Sequence, residues 1–290
     1  MSNTNRSSKV VLVTGASAGI GKAIARRLLR EGWTVYGGAR RVAQMAELAS
    51  EGAKVLPLDV TDDASMRAAV EAILGAEGRI DALVNNAGYG SYGAVEDVPL
   101  DEARRQFEVN VFGAARLAQL VLPKMRSAGH GTIVNITSMG GRIWMPIGGW
   151  YHATKHALEA LSDAMRVEAR PFGVDVVVIQ PGAIASEWAG ISADHLEETS
   201  RGSAYASQAT PFAAVLRDYR GAASPDIIAE VTLKALTARR PRRRYAAPAD
   251  AKALIFLKWL LPDAAWERLV ALMMRSAARG RSAPALSTKT

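Results

Sequence analysis

The sequence predicts an α/β fold in which a doubly wound parallel sheet carries helices on both faces. Short apolar runs rich in valine and isoleucine alternate with longer stretches in which apolar residues recur at helical spacing. A glycine-rich segment at 14–21 separates the first apolar run from the first helical stretch. Because each strand is followed by a helix, successive strands are expected to lie parallel, with the helices crossing over the sheet.

Six strands and five helices follow from this alternation. The predicted strands lie at 9–13, 33–38, 53–58, 80–84, 131–136 and 174–179. The predicted helices lie at 19–31, 41–50, 62–77, 101–127 and 150–170. After Gly182 the alternation stops, and about 183–224 is predicted to be a substrate-covering loop with short helices. The whole chain, 1–290, is predicted to form a single domain.

The first strand leads directly into a glycine-rich turn with Gly15, Gly19 and Gly21. A strand, such a turn and a helix in this order bring backbone N–H groups and the positive end of a helix to one spot, which suits a pyrophosphate. The spacing is Gly-x-x-x-Gly-x-Gly rather than the more familiar Gly-x-Gly-x-x-Gly. A glycine-rich surface turn without a ligand is the alternative.

Tyr151 and Lys155 are four residues apart in a predicted helix, and Ser138 lies upstream. Residues at this spacing share one helix face, so the ammonium group is expected close to the phenol. Free tyrosine titrates near pH ~10, and a neighbouring cation lowers its pKa toward the range useful for proton transfer. The pair therefore predicts a general acid–base group.

These motifs together resemble those of the classical short-chain dehydrogenase/reductase family. They occur in order from about 10 to 184: the glycine turn, Asn85-Asn86-Ala87-Gly88, Asn110, Ser138, Tyr151 with Lys155, and Pro181-Gly182. The resemblance implies a Rossmann-type catalytic domain that transfers hydride between a nicotinamide cofactor and an alcohol or carbonyl.

The resemblance also implies roles for four residues. Ser138 would stabilise the carbonyl oxygen of the substrate, and Tyr151 would donate or accept the proton. Lys155 would bind the ribose of the nicotinamide and tune Tyr151. Asn110 would lie in a helix and hold a water that links Lys155 to solvent. The alternatives are that Ser138 merely ends a strand and that Asn110 caps a helix.

Further residues are implied as cofactor contacts by the same resemblance. They are Gly15, Ser17, Gly19, Ile20, Gly21, Asp59, Val60, Asn86, Ala87, Gly88, Pro181, Gly182, Ile184 and Ser186, besides Tyr151 and Lys155. Ser186 stands where the family often has a threonine. A turn or helix cap is the alternative for Asp59.

Arg40 and Arg41 follow the second predicted strand and indicate the type of cofactor. An acidic residue there suits the ribose 2′-hydroxyl of NAD, whereas an arginine suits the 2′-phosphate of NADP. The segment has two arginines and no acid, which favours NADP(H) over NAD(H). Solvated surface arginines are the alternative.

Large side chains near the predicted catalytic group indicate a lipophilic substrate. Tyr89, Trp144, Met145, Ile147 and Trp188 are candidates for an apolar pocket, with ordinary core packing as the alternative. The chain looks most similar to hydroxysteroid and retinol dehydrogenases, which implies a steroid, a retinoid or a similar carbonyl or alcohol.

An apolar C-terminal extension at about 250–275 is predicted to be helical. Its first run, 253–261, is far shorter than the ~20 residues needed to span a bilayer. Asp263 would cap a second helix, whose apolar side could lie against the substrate loop, a sister subunit or a membrane surface. The tail 275–290 is expected to be mobile.

Composition narrows the possible partners. The net charge is +8, and a cluster at 239–244 suggests a solvated loop or weak attraction to anionic membrane rather than nucleic acid. With no cysteine and four histidines, no metal site is expected. A polar start predicts a cytoplasmic location. The resemblance implies a homodimer or homotetramer that pairs through helices near 101–127 and 150–170.

Two other functions stay open at this point. The first is an isomerase or epimerase on the same scaffold, which would use Tyr151 and Lys155 without net consumption of NADPH. The second is a regulator that senses NADP(H) without turnover. An intact set of Ser138, Tyr151 and Lys155 argues against the regulator.

Overall fold

Seven parallel strands form one sheet in a computed structural model, which describes residues 8–217 and 221–278. The strands are β1 (Val10–Thr14), β2 (Thr34–Ala39), β3 (Lys54–Pro57), β4 (Ala82–Asn85), β5 (Gly131–Ile136), β6 (Val174–Pro181) and β7 (Arg244–Ala247). Their order is β3-β2-β1-β4-β5-β6-β7, and every neighbouring pair is parallel. The chain therefore reverses its direction of winding between β1 and β4.

Helices cover both faces of this sheet, as predicted. They are α1 (Gly19–Arg30), α2 (Ala46–Ser50), α3 (Asp63–Glu77), α4 (Leu100–Phe107), α5 (Gly113–Ala128), α6 (Gly149–Ala169), α7 (Glu187–Thr199), α8 (Ala206–Arg217), α9 (Asp226–Thr237), α10 (Ala249–Leu260) and α11 (Asp263–Ala278). One core cluster joins the sheet to α1 and α9, and another joins its opposite face to α3 and α5. The doubly wound α/β fold is confirmed.

Strand β7 and helix α9 were not predicted. β7 is four residues long, lies at the edge of the sheet and pairs only with β6. Such a strand is buried on fewer sides, so its sequence lacks a continuous apolar run. Its first residue, Arg244, belongs to the basic cluster at 239–244 that was interpreted as a solvated loop. At Arg244 that interpretation is wrong, because its guanidinium forms ion pairs with Glu159 and Asp163.

The predicted helix at 101–127 is interrupted. Between α4 and α5 lies a single π-helical segment, Glu108–Phe112, which contains Asn110. At Gly113, where α5 begins, an added Cβ would lie 2.3 Å from the carbonyl oxygen of Val60. The helix therefore approaches the backbone after β3 closely. The prediction of one continuous helix follows because the segment keeps helical backbone angles at Phe107 and Gly113 and no loop separates the two helices.

The region at 183–224 contains two regular helices, α7 and α8, which are longer than the short helices that were predicted. They pack against each other, and α8 packs against α11. The two ends of the region are joined by backbone hydrogen bonds, from Ala185 N to Ala223 O (2.9 Å) and from Ala223 N to Ala183 O (3.0 Å).

The C-terminal helices pack onto the rest of the chain. Trp266 and Val270 of α11 are buried with Ile143, and Trp144 and Met145 pack against them. The apolar side of α11 thus packs against 143–145, and α11 also contacts α8 in the region 183–224. Asp263 is the first residue of α11, and its carboxylate accepts a hydrogen bond from Lys258 Nζ (2.7 Å).

Within the ranges that the structure describes, no helix has both the length and the apolar character that crossing a membrane requires. The tail beyond 278 lies outside the described residues.

Candidate active site

The predicted site residues gather at the carboxyl edge of the sheet. Gly15 follows β1, Arg40 follows β2, Asn86 follows β4, Ser138 lies two residues beyond β5, and Gly182 follows β6. The edge of β1 and β4 is also the point where the winding of the sheet reverses. In open α/β sheets, ligands bind in the crevice at such a switch point.

The turn between β1 and α1 has the form of an anion-binding cradle. Gly15 and Gly19 have φ angles of +66° and +52°, in the left-handed region that favours glycine. At Gly21, an added Cβ would lie 2.3 Å from the carbonyl oxygen of Gly15. Ala18 precedes α1 without any side-chain cap, so no side chain occupies the first N–H groups of the helix. A pyrophosphate fits this position, because the helix dipole and the free donors both favour an anion.

The end of β4 is fixed to this turn by hydrogen bonds. Asn86 Nδ2 donates to Thr14 O (2.9 Å), and Thr14 Oγ1 accepts from the backbone N of Asn86 (3.0 Å) and Ala87 (2.9 Å). An added Cβ on Gly15 would lie 3.0 Å from Ala87 Cα. Ser17 lies in the turn and Ile20 in the first turn of α1, partly buried against the core. The predicted residues of the two motifs thus form one surface.

Ser138, Tyr151 and Lys155 come together between β5 and α6. Lys155 Nζ donates to Ile136 O (3.1 Å) at the end of β5, and it lies 5.9 Å from the centroid of the Tyr151 ring. Ser138 Oγ accepts from Gly140 N (3.0 Å), which shapes the turn after β5. Both Tyr151 and Lys155 are buried. The group is therefore shielded from bulk water.

Burial controls the protonation of this group. It raises the pKa of Tyr151 to about 12, while a hydrogen bond with the side chain of Ser138 acts in the opposite direction. The predicted lowering of the Tyr151 pKa by Lys155 is not found. The reason is that aromatic rings surround the phenol and exclude water. Burial also lowers the pKa of Lys155 to about 8, against the opposing effect of the Glu159 charge.

Asn110 links the end of β4 to α6. Its Nδ2 donates to Tyr89 O (2.9 Å) and Thr154 Oγ1 (3.1 Å), and its Oδ1 accepts from Tyr89 N (3.0 Å). Thr154 Oγ1 in turn donates to Tyr151 O (2.8 Å). An added Cβ on Gly88 would lie 3.0 Å from Asn110 Oδ1. Asn110 lies in the π-helical segment rather than in a regular helix, and both of its amide donors are bound to protein atoms.

Arg40 and Arg41 are exposed beyond β2, at the position expected for the ribose of the adenosine. Asp59 Oδ1 accepts from Thr61 N (2.9 Å) and Thr61 Oγ1 (2.8 Å), so its carboxylate stabilises a turn. Burial acts to raise the pKa of Asp59, but the Thr61 hydrogen bonds and the charges of Arg40 and Arg105 lower it overall. Arg105 lies on α4, and its position near Asp59 was not predicted from the sequence.

The segment after β6 closes the other side of the site. Gly182 N donates to Ala247 O (2.8 Å), and an added Cβ on Gly182 would lie 2.6 Å from Asp250 Oδ1. Pro181 ends β6, and Ile184 forms a bridge with Ala223. Ser186 precedes α7 without forming a cap, and its Cβ lies 3.3 Å from where a Cβ of Gly19 would be. Ser186 is therefore adjacent to the glycine turn.

Four of the five predicted substrate residues lie in different environments. Trp188 packs on Tyr151, whereas the hydroxyl of Tyr89 donates to Glu102 Oε1 (2.9 Å) on α4. Met145 packs in the cluster around Trp266. Trp144 lines a cavity of about 420 Å³ between α8 and α11. The lining residues are Trp144, Pro146, Ser207, Gln208, Glu267, Val270, Ala271, Met274 and Arg275.

This cavity is adjacent to the catalytic group without including it. Met274 lines the cavity and also packs against the cluster that contains Tyr92 and Tyr151. Pro146 lines it next to Ile147, which belongs to the same cluster. Among the described residues, no cluster of histidine, aspartate or glutamate side chains is placed to bind a metal ion.

Glu159 is a buried residue beside the site that the sequence analysis missed. It lies one turn after Lys155 and accepts hydrogen bonds from Thr137 Oγ1 (2.7 Å), Gln180 Nε2 (2.9 Å) and Arg244 Nε (2.8 Å). Its spacing of four residues from Lys155 was visible in the sequence. Its partners were not, because they come from three different strand ends.

A turn that suits an anion and the buried side chains of Tyr151 and Lys155 lie at one edge of the sheet, an arrangement typical of oxidoreductases of the doubly wound α/β class. The chain belongs to the short-chain dehydrogenase family, whose model matches residues 9–196.

Relatives and solved structures resemble the chain over most of its length. A probable short-chain type dehydrogenase/reductase, VdlC of Helicobacter pylori, is 32% identical over 266 residues, covering 91% of this chain and 97% of the relative. An NADPH-dependent 3-dehydrocapnine reductase of Ornithobacterium rhinotracheale is 34% identical over 270 residues, covering 88% and 93%. The crystal structure of a short-chain dehydrogenase from Streptomyces avermitilis superposes with a TM-score of 0.78 at 34% identity, covering 97% and 99%.

Proposed function

We propose that the protein is an NADP(H)-dependent oxidoreductase that interconverts an alcohol and a ketone or aldehyde on a hydrophobic substrate such as a steroid or retinoid. The observation that carries this proposal is the position of Ser138, Tyr151 and Lys155 beside the glycine turn at one sheet edge. Membership of the short-chain dehydrogenase family supports the reaction class.

In the proposed mechanism, the bound cofactor supplies or accepts the hydride. Ser138 and Tyr151 hydrogen-bond the substrate oxygen, where negative charge develops during reduction. Tyr151 would donate its proton to that oxygen, since burial keeps the phenol protonated at neutral pH. Lys155 would bind the ribose of the nicotinamide and offset the charge left on Tyr151. Asn110 would hold a water that links Lys155 to solvent.

The chain offers separate contacts for each part of NADP(H). The turn at Gly15, Gly19 and Gly21 would hold the pyrophosphate, and Arg40 and Arg41 would hold the 2′-phosphate. The remaining contacts would be made by Ser17, Ile20, Asp59, Val60, Asn86, Ala87, Gly88, Pro181, Gly182, Ile184 and Ser186. A relative named for its dependence on NADPH supports the preference.

The cavity between α8 and α11 supports a lipophilic substrate. At about 420 Å³ it falls within the size range of small-molecule pockets, and Trp144, Val270 and Met274 line it with apolar surface. Trp188 would contact the reacting end of the substrate, because it covers Tyr151. Tyr89 is less well placed, since its hydroxyl is bound to Glu102.

The proposed enzyme forms a homo-oligomer and contacts a membrane surface peripherally. A homodimer or homotetramer is supported by apolar side chains exposed near the two predicted pairing helices, namely Phe112, Leu161 and Val167. Peripheral contact with a membrane is supported by Phe256 and Trp259, which are exposed on α10. We also propose that one catalytic domain spans the chain and that the protein is cytoplasmic.

Cofactor oxidation tests the proposed function. NADPH and NADH would be followed spectroscopically with steroid, retinoid and aliphatic carbonyls, using wild type, Tyr151→Phe and Tyr92→Phe. Tyr92 is a matched control because it is also a buried tyrosine, and its ring centroid lies 5.4 Å from that of Tyr151. We expect turnover with NADPH that is lost only in Tyr151→Phe. NADPH binding without turnover would favour a sensor, and product formed without net oxidation would favour an isomerase.

A further inference from the structure

Glu159 connects three strand ends to the helix that carries Tyr151 and Lys155. Its carboxylate is buried and accepts hydrogen bonds from Thr137, Gln180 and Arg244. Hydrogen bonds to an ionised acceptor are about twice as strong as those between neutral groups. A buried carboxylate with three donors is therefore a rigid junction rather than a mobile surface acid.

The donors to Glu159 are direct neighbours of residues in the site. Thr137 immediately precedes Ser138, and Gln180 immediately precedes Pro181. The stem of Glu159 also packs beneath the turn after Ser138, because an added Cβ on Gly141 would lie 2.9 Å from Glu159 Cγ. The Glu159 side chain thus fixes the position of two segments relative to α6. They are the segment with Ser138, proposed to bind the substrate oxygen, and the segment with Pro181, proposed to face the nicotinamide.

The charge of Glu159 acts on a buried ammonium. On α6, Lys155 is flanked by Tyr151, by Glu159 and by His152, whose burial lowers its pKa to about 4 and leaves it neutral. From the strands, the charged group in this network is Arg244 of β7. The nearby side chains from β5, β6 and the π-helical segment are the uncharged Thr137, Gln180 and Asn110.

Arg244 does not neutralise Glu159 alone. Its guanidinium also forms an ion pair with Asp163, one turn further along α6. Arg166 of α6 also pairs with Asp163, so two guanidinium groups face the two carboxylates. Of these groups, Glu159 lies one turn from Lys155, and its negative charge favours the ammonium form. Without it, burial would favour loss of the proton from the ammonium.

We propose that Glu159 is a positioning residue that holds Ser138 and Pro181-Gly182 around the site and keeps Lys155 in its ammonium form. The inference rests on the proposed function, in which Lys155 must be charged to bind the ribose and to offset the charge on Tyr151. Glu159 touches neither substrate nor cofactor and acts through Lys155 and the strand ends.

Substitution of each partner of the Glu159–Arg244 ion pair distinguishes this role from a merely structural one, because the two changes should shift the pH profile in opposite directions. Glu159→Gln keeps the size of the side chain and an acceptor for Thr137 and Gln180, but removes the negative charge. Lys155 then loses its proton more readily. In a plot of kcat/KM for the reduction against pH, the fall on the alkaline side (the alkaline limb) should therefore occur at a pH about one unit lower. Arg244→Gln leaves Glu159 without its cation, so the same limb moves up.

Asp163→Asn provides the matched control, because Asp163 is the other partner of Arg244 but is half-exposed and two turns from Lys155. We expect Asp163→Asn to leave the alkaline limb in place or to move it far less. A limb that stays unchanged in Glu159→Gln, or moves in the same direction in Glu159→Gln and Arg244→Gln, overturns the proposal. If Glu159→Gln does not fold, the upward shift in Arg244→Gln decides.

The alkaline limb of NADPH affinity, measured by fluorescence, gives a second readout that needs no turnover. The same opposite shifts are expected there, because Lys155 binds the ribose in its charged form. A wild type that binds NADPH without turnover still tests Glu159 in this way. A wild type that neither binds nor turns over would defeat the proposed function itself, and the role of Glu159 with it.

Discussion

Trp188 lies against Tyr151, with ring centroids 5.5 Å apart and ring planes inclined by 54°. Tyr92 packs on the same phenol with centroids 5.4 Å apart, and Trp188 meets Tyr92 edge-on. These contacts bury Tyr151 and account for its raised pKa. Trp188 belongs to the first turn of α7, so α7 supplies part of the cover of the phenol.

Removal of the Trp188 ring should expose the phenol. In Trp188→Ala, we expect the pKa of Tyr151 to fall below about 12, since water can then solvate the phenolate. The pKa would be read from ultraviolet phenolate absorbance, as the difference between Trp188→Ala and Trp188→Ala/Tyr151→Phe. Trp188→Phe retains an aromatic cover and serves as the control. An unchanged pKa in Trp188→Ala would show that the indole does not control the phenol.

Gly21→Ala should damage the nucleotide cradle. The added Cβ would lie 2.3 Å from the backbone carbonyl of Gly15, so the turn must shift. We expect NADPH affinity, measured by fluorescence or calorimetry, to fall by at least about 10-fold, which is about 1.4 kcal/mol. Gly75→Ala is the control, because that helical glycine has open space around it. It should stabilise the protein by about 0.5–1 kcal/mol and leave NADPH binding unchanged.

Arg40 should contribute to cofactor choice. A charged hydrogen bond contributes about 1.5–3 kcal/mol, so Arg40→Ala should raise the KM for NADPH roughly 10- to 100-fold. The KM for NADH should change little, because NADH lacks the 2′-phosphate. Arg30→Ala, another exposed arginine at the end of α1, should affect neither cofactor. Equal losses with both cofactors would contradict the assignment of Arg40.

Trp266 should anchor the C-terminal helices mainly through its volume. It is fully buried, and its indole Nε1 finds no hydrogen-bond partner among residues 8–217 and 221–278. We therefore expect Trp266→Ala to cost about 3–5 kcal/mol of unfolding free energy, as for other large-to-small core changes. Trp266→Phe should cost much less, since no hydrogen bond is lost. Urea unfolding would measure the unfolding free energy of both variants. Comparable losses in Trp266→Ala and Trp266→Phe would indicate that the indole N–H takes part in a polar interaction.

The regular parts of the fold and the location of the motifs could be predicted from the sequence. Val10 to Val13 form a buried strand because the run is continuous and apolar, and the spacing of Tyr151 and Lys155 placed them on one helix face. Strand β7 escaped prediction, since an edge strand that begins at Arg244 lacks such a run.

Long-range burial was also inaccessible to local patterns. The rings of Trp188 and Tyr92 pack on Tyr151 and contribute to the burial that raises its pKa, and neither residue is close to Tyr151 in the chain. Glu159 appeared in the sequence only as an acid one turn after Lys155. Its role as a junction depends on Thr137, Gln180 and Arg244 meeting in the folded sheet.

Hydride transfer is the central claim, and an isotope experiment tests it most directly. NADPH that carries deuterium at the transferable C4 position would be incubated with an accepted carbonyl compound, and the product examined by mass spectrometry. We predict deuterium on the carbinol carbon with wild type and with Tyr92→Phe, and little or no product with Tyr151→Phe. Product without deuterium, or equal product from Tyr151→Phe, would contradict the account.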